Sequence, residues 1–378
     1  MHRFFVAFVA LFAIAPLARA QSSATARIDR YVAKELAAQH IPGMAVGIYR
    51  DGKIVFAKGY GLANVELGVA ATPATIFQSG SIGKQFTATA IMMLVEEGKI
   101  GLDDSMPKYF PDASDSWRAI TIRELLSHTS GLADYTSDSV TKAGGPINLR
   151  ADYTEAQLVK IIETLPSNFA PGEGWEYSNT NFVLLGAVIR RVTGQFYGDF
   201  LQARVFRPLG MTSTRVISEA DIIPNRAAGY ELVNGQLKNQ DWVSPSLNTT
   251  ADGALYFNVI DLAKWDAALY GERLLRKSSL DQMWTIAKLK NGTPNSGHYG
   301  FAWFVDSVGT HRVIEHSGSW QGFEAYIARY VNDHITVVTL MNLGGVNPKP
   351  IAHAIAGLYL PVLAPPADAA AAARTDSQ

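Results

Sequence analysis

A serine and a lysine three residues apart, Ser81 and Lys84, stand in the run Phe77-Gln78-Ser79-Gly80-Ser81-Ile82-Gly83-Lys84, ahead of the apolar stretch Ile91-Met92-Met93-Leu94. On a helix that spacing puts both side chains on one face. A lysine kept from water beside a serine loses its proton readily and can act as the base that turns the hydroxyl into a nucleophile. The chemistry to expect is acyl transfer through a covalent serine ester. Two further motifs carry usable groups. Tyr177-Ser178-Asn179, after the turn Pro171-Gly172, offers a phenol and an amide; His316-Ser317-Gly318-Ser319 offers an imidazole and a glycine that lets a substrate backbone approach a strand edge.

None of the three is specific alone. Ser-x-x-Lys recurs at Ser105/Lys108 and Ser139/Lys142, Tyr-x-Asn at Tyr256/Asn258 and Tyr330/Asn332, and His-x-Gly at His298/Gly300. Pro107 disfavours helical geometry at the residue before it, and Ser139 leads only into Gly144-Gly145-Pro146. Ser81 alone stands at a loop-to-helix junction, where backbone N–H groups and the helix dipole favour developing negative charge.

The elements that must position these residues follow from periodicity. Ile28, Tyr31, Val32 and Leu36 mark an amphipathic helix over 26–39, ended by Pro42-Gly43. Met44, Val46 and Ile48 alternate, Asp51-Gly52 makes a tight turn, and Lys53 to Ala57 returns, which predicts an antiparallel hairpin. From Leu102 to about Leu289 helices dominate. Thr121/Glu124 and Thr154/Gln157 are capping boxes, Gly194 stops the apolar helix from Phe182 to Val192, and Asn258 caps the helix carrying Leu262 and Trp265. Strand-like runs return at Tyr299–Asp306, Arg312–His316, Phe323–Tyr330 and Ile335–Met341, and Ile351–Leu360 reads as a covering helix. The expected fold is α+β: an antiparallel sheet flanked by helices and built from both chain ends, about 25–80 and 297–360. An all-α insertion at about 85–290 completes it, with the site in the cleft between them.

The net charge of −1 has no basic block behind it, so nucleic acid is not an expected partner. With no cysteine there are no disulfides or thiolate metal sites, and no His-x-x-x-His pair occurs, so neither metal nor cofactor is expected. Residues 1–20 combine a short polar start, the apolar run Phe4–Ile14 and the small-x-small site Ala18-Arg19-Ala20, the pattern of a cleaved secretory signal. The expectation is export to the periplasm or beyond, with no membrane anchor after cleavage and a disordered tail over 361–378.

Together the three motifs, in this order, resemble the serine β-lactamase-related superfamily of penicillin-recognising hydrolases, on its class C side, which includes family VIII esterases and D-amino-acid peptidases. Leu125-Leu126-Ser127-His128-Thr129-Ser130-Gly131-Leu132 and the run from His316 to Gly322-Phe323 resemble it too, and the likeness covers roughly 25–360. The resemblance implies Ser81 as nucleophile, with Lys84 and Tyr177 sharing its proton in coupled titrations. It implies the backbone N–H groups of Ser81 and Ser319 as oxyanion hole, Asn179, His316 and Gly318 as substrate-binding residues, and Phe77 and His128 as packing and loop-fixing residues. One departure is chemical. The superfamily's β-lactamases usually place lysine where this chain has His316, which is mostly neutral near pH 7. Glu315 precedes it and adds negative charge. A small ester, amide or peptide substrate is therefore expected ahead of a β-lactam or peptidoglycan stem.

Two other architectures compete. An α/β-hydrolase needs Gly-x-Ser-x-Gly, but Ser79 stands where the first glycine should be. A Ser-His-Asp triad through His316 leaves Lys84 without a purpose. A non-catalytic ligand sensor would keep the cleft but turn nothing over.

Overall fold

The computed structural model describes residues 14–366. The chain enters as a helix, Ile14–Ala38, so residues 14–20 of the expected leader open this helix and residues 1–13 lie outside the described residues. Three strands follow, β1 (Gly43–Arg50), β2 (Lys53–Asn64) and β3 (Val69–Ala70). Asp51 and Gly52 have φ of 50° and 70°, the paired left-handed conformation a two-residue hairpin turn requires, and Arg50 pairs directly with Lys53. β2 runs well past the expected Ala57, because it keeps pairing with β1 as far as Gly61 and then with β3.

Between the two sheet-forming ends lie the helices Lys84–Glu96, Ile122–Leu126, Glu155–Glu163, Asn179–Thr193, Val259–Ala268 and Lys277–Met283. Both capping boxes form, Asn258 accepts the Asp261 N–H, and Gly194 closes its helix in the left-handed conformation. The region is not purely helical, however. It also carries β4 (Phe77–Gln78), β5 (Arg215–Val216) and β8 (Leu255–Phe257) in one small sheet, and the hairpin β6 (Tyr230–Val233) with β7 (Gln236–Asn239). These strands are two to four residues long, too short to show a period in the sequence.

The chain returns with β9 (Phe304–Val308), β10 (His311–Trp320), β11 (Phe323–Tyr330) and β12 (Ile335–Met341), then the helix Pro348–Tyr359. The seven-stranded sheet has the order β3-β2-β1-β12-β11-β10-β9, and every pairing in it is antiparallel. The expected antiparallel sheet from both chain ends, flanked by helices, is borne out. Alternation sorts the strand residues. Met44, Val46, Ile48 and Val337 pack with Ile28 and Ile355 of the two terminal helices, while Ala45, Tyr49, Val338 and Leu340 join the core shared with the Lys84–Glu96 and Val259–Ala268 helices.

Two end effects differ from expectation. Residues 299–303 are not strand, because the Asn295 side chain takes both the N–H and the C=O of Tyr299, at 3.0 and 2.7 Å. The expected tail is ordered through a turn at Pro361–Leu363, since Leu363 is fully buried against the terminal helices; residues 367–378 lie outside the described residues. Among the described residues no helix is long and apolar enough to cross a membrane.

Candidate active site

Ser81 sits in a short 3-10 turn, Gly80–Gly83, that runs straight into the Lys84–Glu96 helix, whose residues 84–94 are all buried. The turn is pinned from below. Ser79 donates its hydroxyl to the Gly253 carbonyl at 2.7 Å and accepts the Leu255 N–H at 3.1 Å, tying the serine loop to β8. From the side it abuts β10. β9 pairs only with residues 311–315, so the same edge of β10 is open from His316 onward and meets the turn. The contact needs two glycines: a Cβ on Gly80 (φ 47°) would lie 2.4 Å from the Ser319 nitrogen, and one on Gly318 would lie 2.1 Å from the Ser79 oxygen. Ser81 and Ser319 consequently line one pocket of about 130 Å³, the placement two converging backbone N–H donors require.

Lys84 is completely buried, and its amine has three partners: Ser81 Oγ at 3.0 Å, Asn179 Oδ1 at 2.6 Å and the Asp252 carbonyl at 2.6 Å. Two of these can only accept. A neutral amine spends its two protons on them and turns its lone pair to the Ser81 hydroxyl. The rings of Tyr177 and Phe182 close the remaining side, with centroids 5.0 and 5.6 Å from Nζ. Burial lowers the pKa of Lys84 to about 8, against the pull of Asp252 and then Asp134. At that value a usable fraction of the amine is unprotonated near neutral pH.

Tyr177 is partly exposed, but its hydroxyl is buried and faces the Ser81 hydroxyl. Burial pushes its pKa up, the Ser81 hydroxyl opposes the rise, and Asp252 and Asp134 add to it. Tyr177 is thus a protonated phenol. Its backbone is fixed by His128, whose Nδ1 accepts the Ser178 N–H at 3.2 Å and faces the Asn181 amide at 3.0 Å. His128 and Phe77 are fully buried, Phe77 edge-on to Phe323, in the packing roles expected of them.

Asn179 reaches the site but is not free. Its Nδ2 donates to Asp134 Oδ2 and Thr136 Oγ1, both at 3.0 Å, which leaves Oδ1 for Lys84. It orients the amine, and both its donors are already engaged rather than offered to a substrate. His316 also differs from expectation. It is 1 % exposed, Nδ1 donates to the Ser317 carbonyl at 2.5 Å, and Nε2 accepts the Tyr299 hydroxyl at 2.8 Å. Burial lowers its pKa to about 3, with the Ser317 carbonyl opposing. It is a neutral, saturated wall behind Tyr177, packed against Tyr299 and Phe304, and does not line the pocket. Glu315 does not charge the cleft, because alternation along β10 turns it to the opposite face. There it pairs with Lys349 at 2.7 Å and His353 at 3.0 Å. Burial works to raise its pKa, but these partners hold it at about 2.

The competing Ser-x-x-Lys pairs present their lysines at the surface. Lys108 pairs with Asp104 and is half exposed, and Ser139 and Lys142 are both exposed. Several site residues had no motif to announce them: Asp252, Asp134, Tyr135, Thr136, Thr250 and Trp320. The loop 135–150 supplies Tyr135 and Thr136 to the pocket, 247–254 supplies Leu247, Thr250 and Asp252–Ala254, and 290–298 supplies no lining residue. The one available sequence cue was Asp134-x-Thr136, an Asx-turn pattern, and both the Thr136 N–H and its hydroxyl bond to Asp134 Oδ1 at 2.9 Å.

Comparison with known proteins gives the arrangement a context. The family model described as Beta-lactamase matches residues 28–359. Penicillin-binding protein 4* of Bacillus subtilis is 30% identical over 304 residues, which is 77% of this chain; the chain spans 66% of that relative's length. Among solved structures, the octameric penicillin-binding protein homologue from Pyrococcus abyssi superposes with a TM-score of 0.78 at 30% identity, covering 89% of this chain and 77% of that one. A D-stereospecific amidohydrolase from Streptomyces sp. superposes with a TM-score of 0.70 at 29% identity, covering 89% and 97%. The turn that presents Ser81, the buried lysine behind it and the open edge of β10 thus sit in a chain that belongs to the beta-lactamase family.

Proposed function

We propose that this protein is a serine hydrolase that cleaves a small ester or amide through an acyl-enzyme on Ser81, in the manner of an esterase or a D-amino-acid amidase. The observation that carries the reading is the environment of Lys84: a fully buried amine with two fixed acceptors and one remaining direction, toward Ser81 Oγ at 3.0 Å. Neutral Lys84 takes the Ser81 proton as Oγ forms its bond to the substrate carbonyl carbon. The C=O electron pair moves onto oxygen and is met by the N–H groups of Ser81 and Ser319, a contribution of about 3 kcal/mol per donor. Collapse of that oxyanion breaks the bond to the leaving group, which takes the proton of Tyr177, a phenol kept protonated by burial. Lys84 passes the proton it took from Ser81 back to the phenolate, so that both groups are reset. Water then repeats the sequence on the acyl-serine.

A β-lactam or peptidoglycan substrate is a second reading, favoured by the penicillin-binding relatives. It asks for a cation to meet the substrate carboxylate, and none of the residues lining the pocket carries positive charge. Neutral esters and amides fit better. The leader pattern of residues 1–20 supports an exported enzyme.

Labelling with a fluorophosphonate probe, followed by peptide mapping, tests the mechanism. Modification is expected on the peptide containing Ser81; modification of another serine, or none in folded protein, would falsify it. Short acyl esters, D-amino-acid amides and a chromogenic cephalosporin, assayed side by side, separate the substrate readings. The first two are expected to turn over faster.

A further inference from the structure

We propose that Asp252 is a positioning residue for Lys84, a buried carboxylate that stabilises the ammonium formed when Lys84 takes the Ser81 proton, and that Asp134 supports the same amine through Asn179. The proposal rests on the reading of Ser81 and Lys84 given above. Asp252 is 8 % exposed and touches the lysine with its backbone, the carbonyl accepting from Nζ at 2.6 Å. Its carboxyl group accepts the Tyr135 hydroxyl through Oδ2 at 3.0 Å. Burial raises its pKa, while Lys84 and the Thr250 and Tyr135 hydroxyls oppose the rise and favour the charged form. Asp134 reaches the amine by another route, fixing Asn179 Nδ2 so that Asn179 Oδ1 must face Nζ. Both routes start from residues 134–136, which deliver Asp134 and Thr136 to Asn179 and Tyr135 to Asp252.

Neither carboxylate bonds the amine directly. A direct carboxylate–ammonium bond would hold the proton on nitrogen and remove the base. Set one step back, the negative charges act through space: weakly enough that the amine can be neutral, yet in place when proton transfer makes it an ammonium. The other titratable groups facing it are uncharged. His128 and His316 are kept neutral by burial, and the Tyr177 and Tyr135 hydroxyls are kept protonated by it. Charge separation in the attack step, ammonium on one side and oxyanion on the other, therefore has Asp252 behind one pole and the backbone N–H groups at the other. This is the part an aspartate plays behind the histidine of a Ser-His-Asp triad.

The test is the pH dependence of Ser81 labelling by fluorophosphonate, read with kcat and KM for a p-nitrophenyl ester, in wild type, Asp252→Asn and Asp252→Glu. Removing an attracting carboxylate lowers the pKa of an amine, so in Asp252→Asn the acid limb is expected to move down by about one pH unit. The plateau rate should fall about tenfold, with KM unchanged. Asp252→Glu restores the charge and should keep the limb at its wild-type position, even if the plateau falls. An unmoved limb in Asp252→Asn overturns the proposal. So does a raised KM at constant kcat, which would make the carboxylate a substrate anchor, and so does a limb in Asp252→Glu that shifts as far as in Asp252→Asn. Failure of wild-type Ser81 to label overturns the underlying reading of the site; labelling with an unmoved limb overturns only the role of Asp252.

Discussion

Two basic side chains are buried to the same extent in this molecule and put to opposite uses. Arg329, on β11, is fully buried and bonds Asp266 Oδ1 at 2.7 Å, a carboxylate that also accepts the Thr336 hydroxyl at 2.7 Å. Lys84 is equally buried, but its three partners are a hydroxyl, an amide oxygen and a backbone carbonyl, with carboxylates only one step behind. The first arrangement keeps a permanent cation permanent and clamps the Val259–Ala268 helix to the sheet. The second leaves the proton loosely held. Burial alone does not make a lysine a base; the choice of neutral over charged acceptors does, together with a side chain whose pKa can fall, which arginine's cannot.

That contrast can be attacked directly. The largest expected effect is at the proposed nucleophile: Ser81→Ala should lower ester turnover by up to about 10⁶-fold and abolish probe labelling, measured by steady-state assay and mass spectrometry. Lys84→Arg is the sharper experiment, since it keeps the charge and removes the ability to lose it. Turnover should fall by about 10⁴-fold, the range for losing an acid–base partner, and substantial residual activity would break the comparison. In wild type, kcat/KM should rise with pH through a midpoint near 8, because the base must be unprotonated.

On the structural side of the comparison, Asp266→Ala leaves Arg329 buried and unpaired. It should cost about 3–5 kcal/mol in denaturant unfolding, while any protein that remains folded keeps its probe reactivity. A smaller effect is expected at Glu324, which accepts the Ser319 hydroxyl at 2.8 Å and the Gly345 N–H at 3.1 Å. Burial raises its pKa to about 7, with those two bonds opposing. A carboxyl with a raised pKa holds its proton in the folded state after the unfolded chain has lost it. Stability should therefore decline as pH rises from about 4.5 to 7, and Glu324→Gln should flatten that decline in melts across the window.

Much of the fold is legible in short stretches of sequence. The Asp51-Gly52 hairpin, both capping boxes, the glycine stop at Gly194 and the strands Phe323–Tyr330 and Ile335–Met341 carry their instructions within a few residues. The open stretch of β10 beyond His316 was not readable, because it depends on where β9 stops pairing. Tyr299 left the strand pattern for a similar reason, its backbone being claimed by the Asn295 side chain.

By itself the sequence determined which residues meet at the site's centre. Ser81 and Lys84 are joined by helical spacing, a local property that survives without knowledge of the rest of the chain, and the order of the three motifs brought Tyr177 to them through the family resemblance. Only the tertiary structure decided what those residues can do. Asn179 spends its donors on Asp134 and Thr136, His316 is saturated by Tyr299 and Ser317, Glu315 faces the far side of the sheet, and Asp252 arrives behind Lys84 from a loop with no motif. Partner choice and burial are set by segments distant in sequence, and a side chain's proton affinity depends on both.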